Sequence, residues 1–138
     1  MRSLKLKIIA VFILVLATSM TARAEGLVKK IRCTCYCEPG ITASGAHTKV
    51  GIIAGRKDDL GKVAAIYSIA EDGSIGEFLG YYEFKDTGAG MDSDGDGVGD
   101  TIRTGKSVDV FQNTLQDAKA WVKEYGDYVY IVIIDAQG

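Results

Sequence analysis

The chain has no surplus of positive charge, a single proline, a single histidine (His47) and only three cysteines, and each shortage excludes something. With 16 basic against 18 acidic side chains, no basic face is left over for phosphates, which argues against a general affinity for nucleic acid. The cysteines stand together as Cys33, Cys35 and Cys37. They lack the two-residue spacers of zinc knuckles, so a zinc site built from them with His47 ranks below a structural reading. A Cys–His nucleophilic pair has no orienting partner in the sequence. On an extended strand all three thiols point to one face. The Cα atoms of Cys33 and Cys37 would then lie roughly 13 Å apart, too far for a disulfide unless the chain bends near Pro39-Gly40. An odd number leaves at least one thiol without a partner in the chain. Long apolar runs are scarce too: Ile8 to Ala17 is short for a transmembrane span. There is no internal repeat, low-complexity tail or linker.

That one run has the surroundings of an export signal. Arg2, Lys5 and Lys7 precede it, and Ala22-Arg23-Ala24 has the small-x-small form of a cleavage site. No cysteine directly follows it, which disfavours a lipid anchor. Residues 1–24 are therefore expected to be a signal peptide that sends the protein to the periplasm, the cell wall or the exterior, with no stable membrane insertion after processing. Its removal takes away Arg2, Lys5, Lys7 and Arg23 and no acid, so the formal charge falls from −2 to −6. Residues 25–138 are enough for one domain with one core.

Within that domain, 17 glycines, one proline and runs of Val, Ile and Tyr point to short strands. Lys29 to Tyr36, Val50 to Ala54, Lys62 to Ile69, Glu77 to Phe84, Ser107 to Phe111 and Asp127 to Asp135 read as strands. Asp72-Gly73 supplies the positive φ of a hairpin between the third and fourth. One helix is expected after Thr114, where Thr114-x-x-Asp117 resembles a capping box with Asp in place of Glu. Leu115, Ala118, Trp121, Val122 and Tyr125 recur at helical spacing, and Gly126 can take the left-handed C-terminal position. The class implied is mainly β: a small six-stranded barrel with one α-helix.

The most informative stretch runs from Phe84 to Phe111. Asp86 opens a Thr-Gly-Ala-Gly loop, Asp109 sits between two valines, and an acidic segment lies between them. If Val108 and Val110 face a core, Asp109 faces the other way, into a groove. In the acidic segment Asp92, Asp94, Asp96, the Val98 carbonyl and Asp100 hold positions one, three, five, seven and nine, with Gly97 sixth. Such spacing suits the oxygen sphere of a structural Ca²⁺, and it is similar to the loops of EF-hand, dockerin and thrombospondin type 3 repeats. The twelfth position is Arg103 instead of a bidentate Glu. The plainer alternative is a solvated acidic loop tip.

Several motifs then fall in a recognisable order. Cys33-Thr-Cys35-Tyr-Cys37, Thr42-Ala-Ser-Gly45, Gly51-Ile-Ile-Ala54 and Leu60-Gly61 are followed by Phe84-Lys-Asp86-Thr-Gly88 and Val108-Asp109-Val-Phe111. From about residue 31 to 135 the series resembles the bacterial 3D domain, named for three aspartates and found in A-type lytic transglycosylases and in stationary-phase survival and resuscitation-factor-like wall enzymes. The resemblance implies a double-psi β-barrel that cleaves the β-1,4 bond between N-acetylmuramic acid and N-acetylglucosamine in peptidoglycan and leaves a 1,6-anhydro end. It implies Asp109 as acid and base, with Asp86 supporting it by like-charge repulsion. Thr87, Gly88 and Ser44 are expected to bind the glycan, and no cofactor is required for the reaction. The sequence departs from the family in three places. Gly55 and Arg56 stand where the first aspartate is expected, with Asp58 and Asp59 unmatched. Ser107 replaces a basic residue, for which Arg103 or Lys106 could substitute. The acidic segment lengthens the loop between the two aspartates. A glycan-binding module without catalysis and a calcium-stabilised secreted interaction domain are the rival readings.

Overall fold

A computed structural model describes residues 28–135; the expected signal peptide lies outside them. The described residues form six strands: β1 (Val28–Tyr36), β2 (Ile52–Gly55), β3 (Val63–Ile69), β4 (Ile75–Thr87), β5 (Ser107–Phe111) and β6 (Tyr128–Ile134). One helix, α1 (Leu115–Tyr125), joins β5 to β6, and a 3-10 turn, Lys57–Asp59, follows β2. The strands close into a barrel in the order β1-β5-β2-β4-β3-β6.

Strand formation follows the alternation of side chains. Ile31 and Cys33 on β1, Val108 and Val110 on β5, Tyr82 and Phe84 on β4, and Val129 and Ile131 on β6 are buried and meet inside the barrel. Ala64 and Ile66 of β3 and Ile53 of β2 complete this core. Phe84 is among its largest fully buried side chains; cutting it to alanine is expected to cost about 3–5 kcal/mol. Cys33 and Cys35 share the inward side, as their spacing predicts, Cys37 lies beyond the end of β1, and all three are free thiols. Cys33 is fully buried and Cys35 packs at the edge of the core. Burial pushes the Cys35 thiol up to about 12 and the Cys33 thiol higher still. Neither supplies a thiolate near neutral pH.

Local signals set the element ends. Gly73 takes φ 85° in the β3–β4 turn, and the Asp72 carboxylate accepts from the Ser74 backbone N–H and hydroxyl. At the start of α1 the Thr114 hydroxyl accepts from the Asp117 N–H at 3.0 Å, while Gly126 closes the helix at φ 77°. The aromatic stripe of α1 is packing: Trp121 meets Tyr82 and Tyr125 edge-on, with ring centroids 6.1 and 4.7 Å apart.

Two connections give the barrel its topology. β5 lies between β1 and β2, parallel to β1 and antiparallel to β2. β2 likewise lies between β4 and β5, parallel to β4. The connection from β1 to β2 must pass over β5, and that from β4 to β5 must pass over β2. These two interlocked, ψ-shaped crossings are the double-psi arrangement. Asp86 corrects one expectation. It does not open the loop but lies inside β4, because pairing with β2 continues past a register shift at Ile53/Ala54 to Gly55 and Thr87.

Candidate active site

The crossing strands place the two aspartates. Asp109 is the register partner of Thr34 on β1 and of Ala54 on β2, and Ala54 is in turn the partner of Asp86 on β4. Thr34, Asp109, Ala54 and Asp86 therefore form one row across four adjacent strands. Residues level with one another in a sheet share a face, so both carboxyl groups stand on the outer wall, with about two strand spacings (roughly 10 Å) between their Cα atoms. The intervening side chain is only a methyl group. Ala54 becomes the floor of a cleft of about 330 Å³ lined by Asp86, Asp109, Tyr36, Glu38, Thr48 and Thr87, among others.

The two carboxylates are held differently. Asp86 accepts from three donors: the backbone N–H groups of Thr87 (2.9 Å) and Ala43 (3.0 Å) at Oδ1, and the Tyr36 hydroxyl (3.2 Å) at Oδ2. It thereby ties the β1–β2 connection to β4, and the Ser44 N–H donating to the Lys85 carbonyl reinforces the seam. Asp109 has one side-chain partner, the Thr34 hydroxyl, donating to Oδ1 at 2.9 Å. Its pKa is raised above the ordinary carboxylate value, first by burial and, to a smaller extent, by the negative charges of Asp86 and Glu38; the Thr34 hydrogen bond pulls the other way. Like-charge repulsion from Asp86 is thus real but secondary: desolvation is the larger cause. The Tyr36 phenol is also raised, chiefly by burial and then by Asp86, so it remains a proton donor.

Thr87 and Gly88 line the cleft. Ser44 does not: its hydroxyl pairs with that of Thr42 at 3.0 Å, and its contribution is to the shape of the overlying loop. The candidates for the missing first aspartate also lie elsewhere. Asp59 is buried at the 3-10 turn, where Arg56 Nε (2.9 Å) and Lys62 Nζ (3.2 Å) neutralise it, and Asp58 is exposed. Neither Arg103 nor Lys106 lines the cleft; Lys106 donates to the Ser93 hydroxyl at 3.2 Å instead. Thr34 and Tyr36 were not among the expected site residues. Their signal was present in the alternation, since strand residues next to the inward Cys33 and Cys35 must face outward.

The acidic segment is a separate structure. Carboxylate oxygens of Asp92, Asp94 and Asp100 converge within 4.8 Å of one another, so three of the four expected carboxylate ligands are brought together. Asp96 turns away and accepts from the Val98 N–H at 2.8 Å, and the Val98 side chain is exposed. Asp92 accepts from the N–H groups of Gly95 (2.7 Å) and Gly97 (2.8 Å). Asp100 accepts from the Ser93 hydroxyl at 2.6 Å. These bonds favour the charged forms and hold the pKa values of both below the ordinary range. An all-oxygen set fits Ca²⁺ better than a soft metal.

Compared with family models, with curated proteins and with solved structures, the chain matches none.

Proposed function

We propose that this is an exported peptidoglycan lytic transglycosylase of the 3D type, with Asp109 as its acid and base. One observation carries the reading. Asp109 and Asp86 stand on one row, flank a methyl-sized floor and share an accessible cleft, and burial helps Asp109 to keep its proton. Protonated Asp109 donates to the N-acetylglucosamine O4 as the bond from C1 of N-acetylmuramic acid to that oxygen breaks. The resulting carboxylate takes the proton from the muramyl 6-hydroxyl, whose oxygen bonds to C1. No water is consumed, and Asp109 ends protonated again. Thr34 fixes Oδ1, which leaves Oδ2 to move the proton. Asp86 fixes the loop and the Tyr36 hydroxyl over the reacting centre. The lining holds Glu38, Asp86 and Asp109 and no Lys or Arg, so it suits an uncharged sugar backbone better than a phosphorylated ligand.

Asp92, Asp94 and Asp100 would hold a structural Ca²⁺ that clips the segment between β4 and β5, the strands bearing the two site aspartates. A second reading, a glycan-binding module without catalysis, is favoured by the locked position of Asp59, which leaves the cleft without a third family aspartate. Incubation with purified, insoluble peptidoglycan separates the two. A transglycosylase releases soluble muropeptides one water lighter than hydrolysis products, and Asp109→Asn releases them at least about 10²-fold more slowly while melting normally. Retention on the wall with no soluble product selects the binding module. Full activity in Asp109→Asn removes Asp109 from the mechanism.

A further inference from the structure

The aspartate cleft is rich in hydrogen-bond acceptors and poor in donors. Of its polar groups, the Tyr36 hydroxyl and the Thr87 N–H already donate to Asp86, and the Gly40 N–H donates to the Thr48 hydroxyl at 3.1 Å. Next to the cleft, the Thr34 hydroxyl donates to Asp109 Oδ1. What these bonds leave over is mostly acceptor: Oδ2 of Asp109, a lone pair on the Tyr36 oxygen and both oxygens of Glu38. Glu38 stands between the end of β1 and the Ile41–His47 bridge, is exposed, and takes part in no ion pair among the described residues. It lines the cleft, and its charge acts on Asp109. Apart from the Asp109 proton, the lining side chains keep hydrogens to offer a ligand only on the Thr48 and Thr87 hydroxyls.

We propose that this cleft selects glycan in which the 2-amino group of a sugar is free, and that Glu38 is the residue that recognises it. The inference rests on the reading of the cleft as a peptidoglycan-cleaving site and narrows its substrate to strands that have lost N-acetyl groups. An acetamide brings one N–H and a carbonyl that needs a donor, and donors are what this lining lacks; a carbonyl desolvated without one forfeits the hydrogen bonds that water supplied. A free amine is protonated, so it brings three donors and a positive charge to a cleft whose carboxylates have no Lys or Arg among the lining residues. The proposed reaction uses the muramyl 6-hydroxyl and not the acetamide, so no step is lost with the acetyl group. Ile41, 62% exposed, and Pro39 add apolar surface to the same lining, against which the C–H face of a sugar ring can lie. A phosphate or carboxylate ligand would meet like charge.

Titration with two chitooligosaccharides of equal length, one N-acetylated and one fully de-N-acetylated, tests this, with binding followed through the backbone amides of Ala54 and Thr87 by ¹⁵N NMR. At about pH 6, below the ordinary amine range, the free amines are charged. The de-N-acetylated oligomer should bind roughly two- to fivefold more tightly at low ionic strength, and the preference should shrink as salt is added. Glu38→Gln should bring the ratio of affinities close to unity and Glu38→Asp should keep part of the preference, whereas a merely structural role for Glu38 would weaken both oligomers alike. Nα-acetyl-lysine amide, an ammonium without a sugar, should compete more weakly than the de-N-acetylated oligomer. Equal affinity for the two oligomers, or a preference that survives Glu38→Gln, overturns the inference and leaves the reading of the cleft standing. Competition by the lysine amide as strong as by the oligomer also overturns it, and assigns the charge to a peptide side chain. Binding of neither oligomer overturns it as well; release of muropeptides from the wall then decides separately whether the underlying reading stands.

Discussion

Two groups of aspartates lie within 25 residues of each other and have opposite chemistry. Asp109 sits on a strand, half-buried, with a single hydrogen-bond donor, and its pKa is raised. Asp92 and Asp100 sit in a loop, each engaged by donors that stabilise charge, and their pKa values are lowered. A carboxyl group holds its proton more readily where desolvation exceeds hydrogen bonding, and stays charged, as a cation ligand must, where hydrogen bonding exceeds desolvation. Acidic clustering in the sequence cannot separate these cases; the strand register can.

The largest expected break in this comparison comes from Asp109→Asn, which on the proposed mechanism should lower the rate of muropeptide release by about 10²–10⁴-fold with the melt unchanged; the corresponding Asp92→Asn should leave the rate of the Ca²⁺-free protein nearly intact. Asp86→Ala strands the Ala43 N–H and the Tyr36 hydroxyl, and urea titration should show a loss of about 1–3 kcal/mol. Thr34→Val removes one hydrogen bond, about 1 kcal/mol. Because that bond favours the carboxylate, its loss should move the Asp109 pKa further up, and Thr34→Ser should restore it. Added Ca²⁺ should raise the melting temperature of the wild type and EDTA should lower it, with no such response in Asp92→Asn/Asp100→Asn; an indifferent wild type would remove the metal from the loop. The smallest effect concerns acid. Groups with depressed pKa contribute stability above the unfolded value near 3.8 and lose it as pH falls through the folded one. Between pH 5 and 3, metal-free wild type should therefore lose more stability than the Asp92→Asn/Asp100→Asn variant.

Most of the secondary structure was legible because side-chain period and caps are local. Asp72-Gly73, Thr114 and Gly126 mark their turns and helix ends without help from the rest of the chain, and Val108-Asp109-Val110 already fixes which side of β5 faces the core. The site was legible only in part. That Asp86 and Asp109 flank Ala54 depends on β2 entering between β4 and β5, a long-range pairing with no local signature. The end of β4 was misplaced for the same reason: glycines after Asp86 suggest a loop, yet the parallel ladder with β2 holds Asp86 and Thr87 on the strand. Thr34 and Tyr36 were readable from alternation once the cysteines were set inward. The tether from Ala43 to Asp86 was not, since it requires a connection crossing over β5.

Site-resolved titration of the aspartate carboxyl carbons by ¹³C NMR tests the contrast most directly, because it needs neither substrate nor metal. The account predicts an Asp109 midpoint above the ordinary value near 3.8 and midpoints for Asp92 and Asp100 below it. An Asp109 that titrates at or below the loop carboxylates would contradict it.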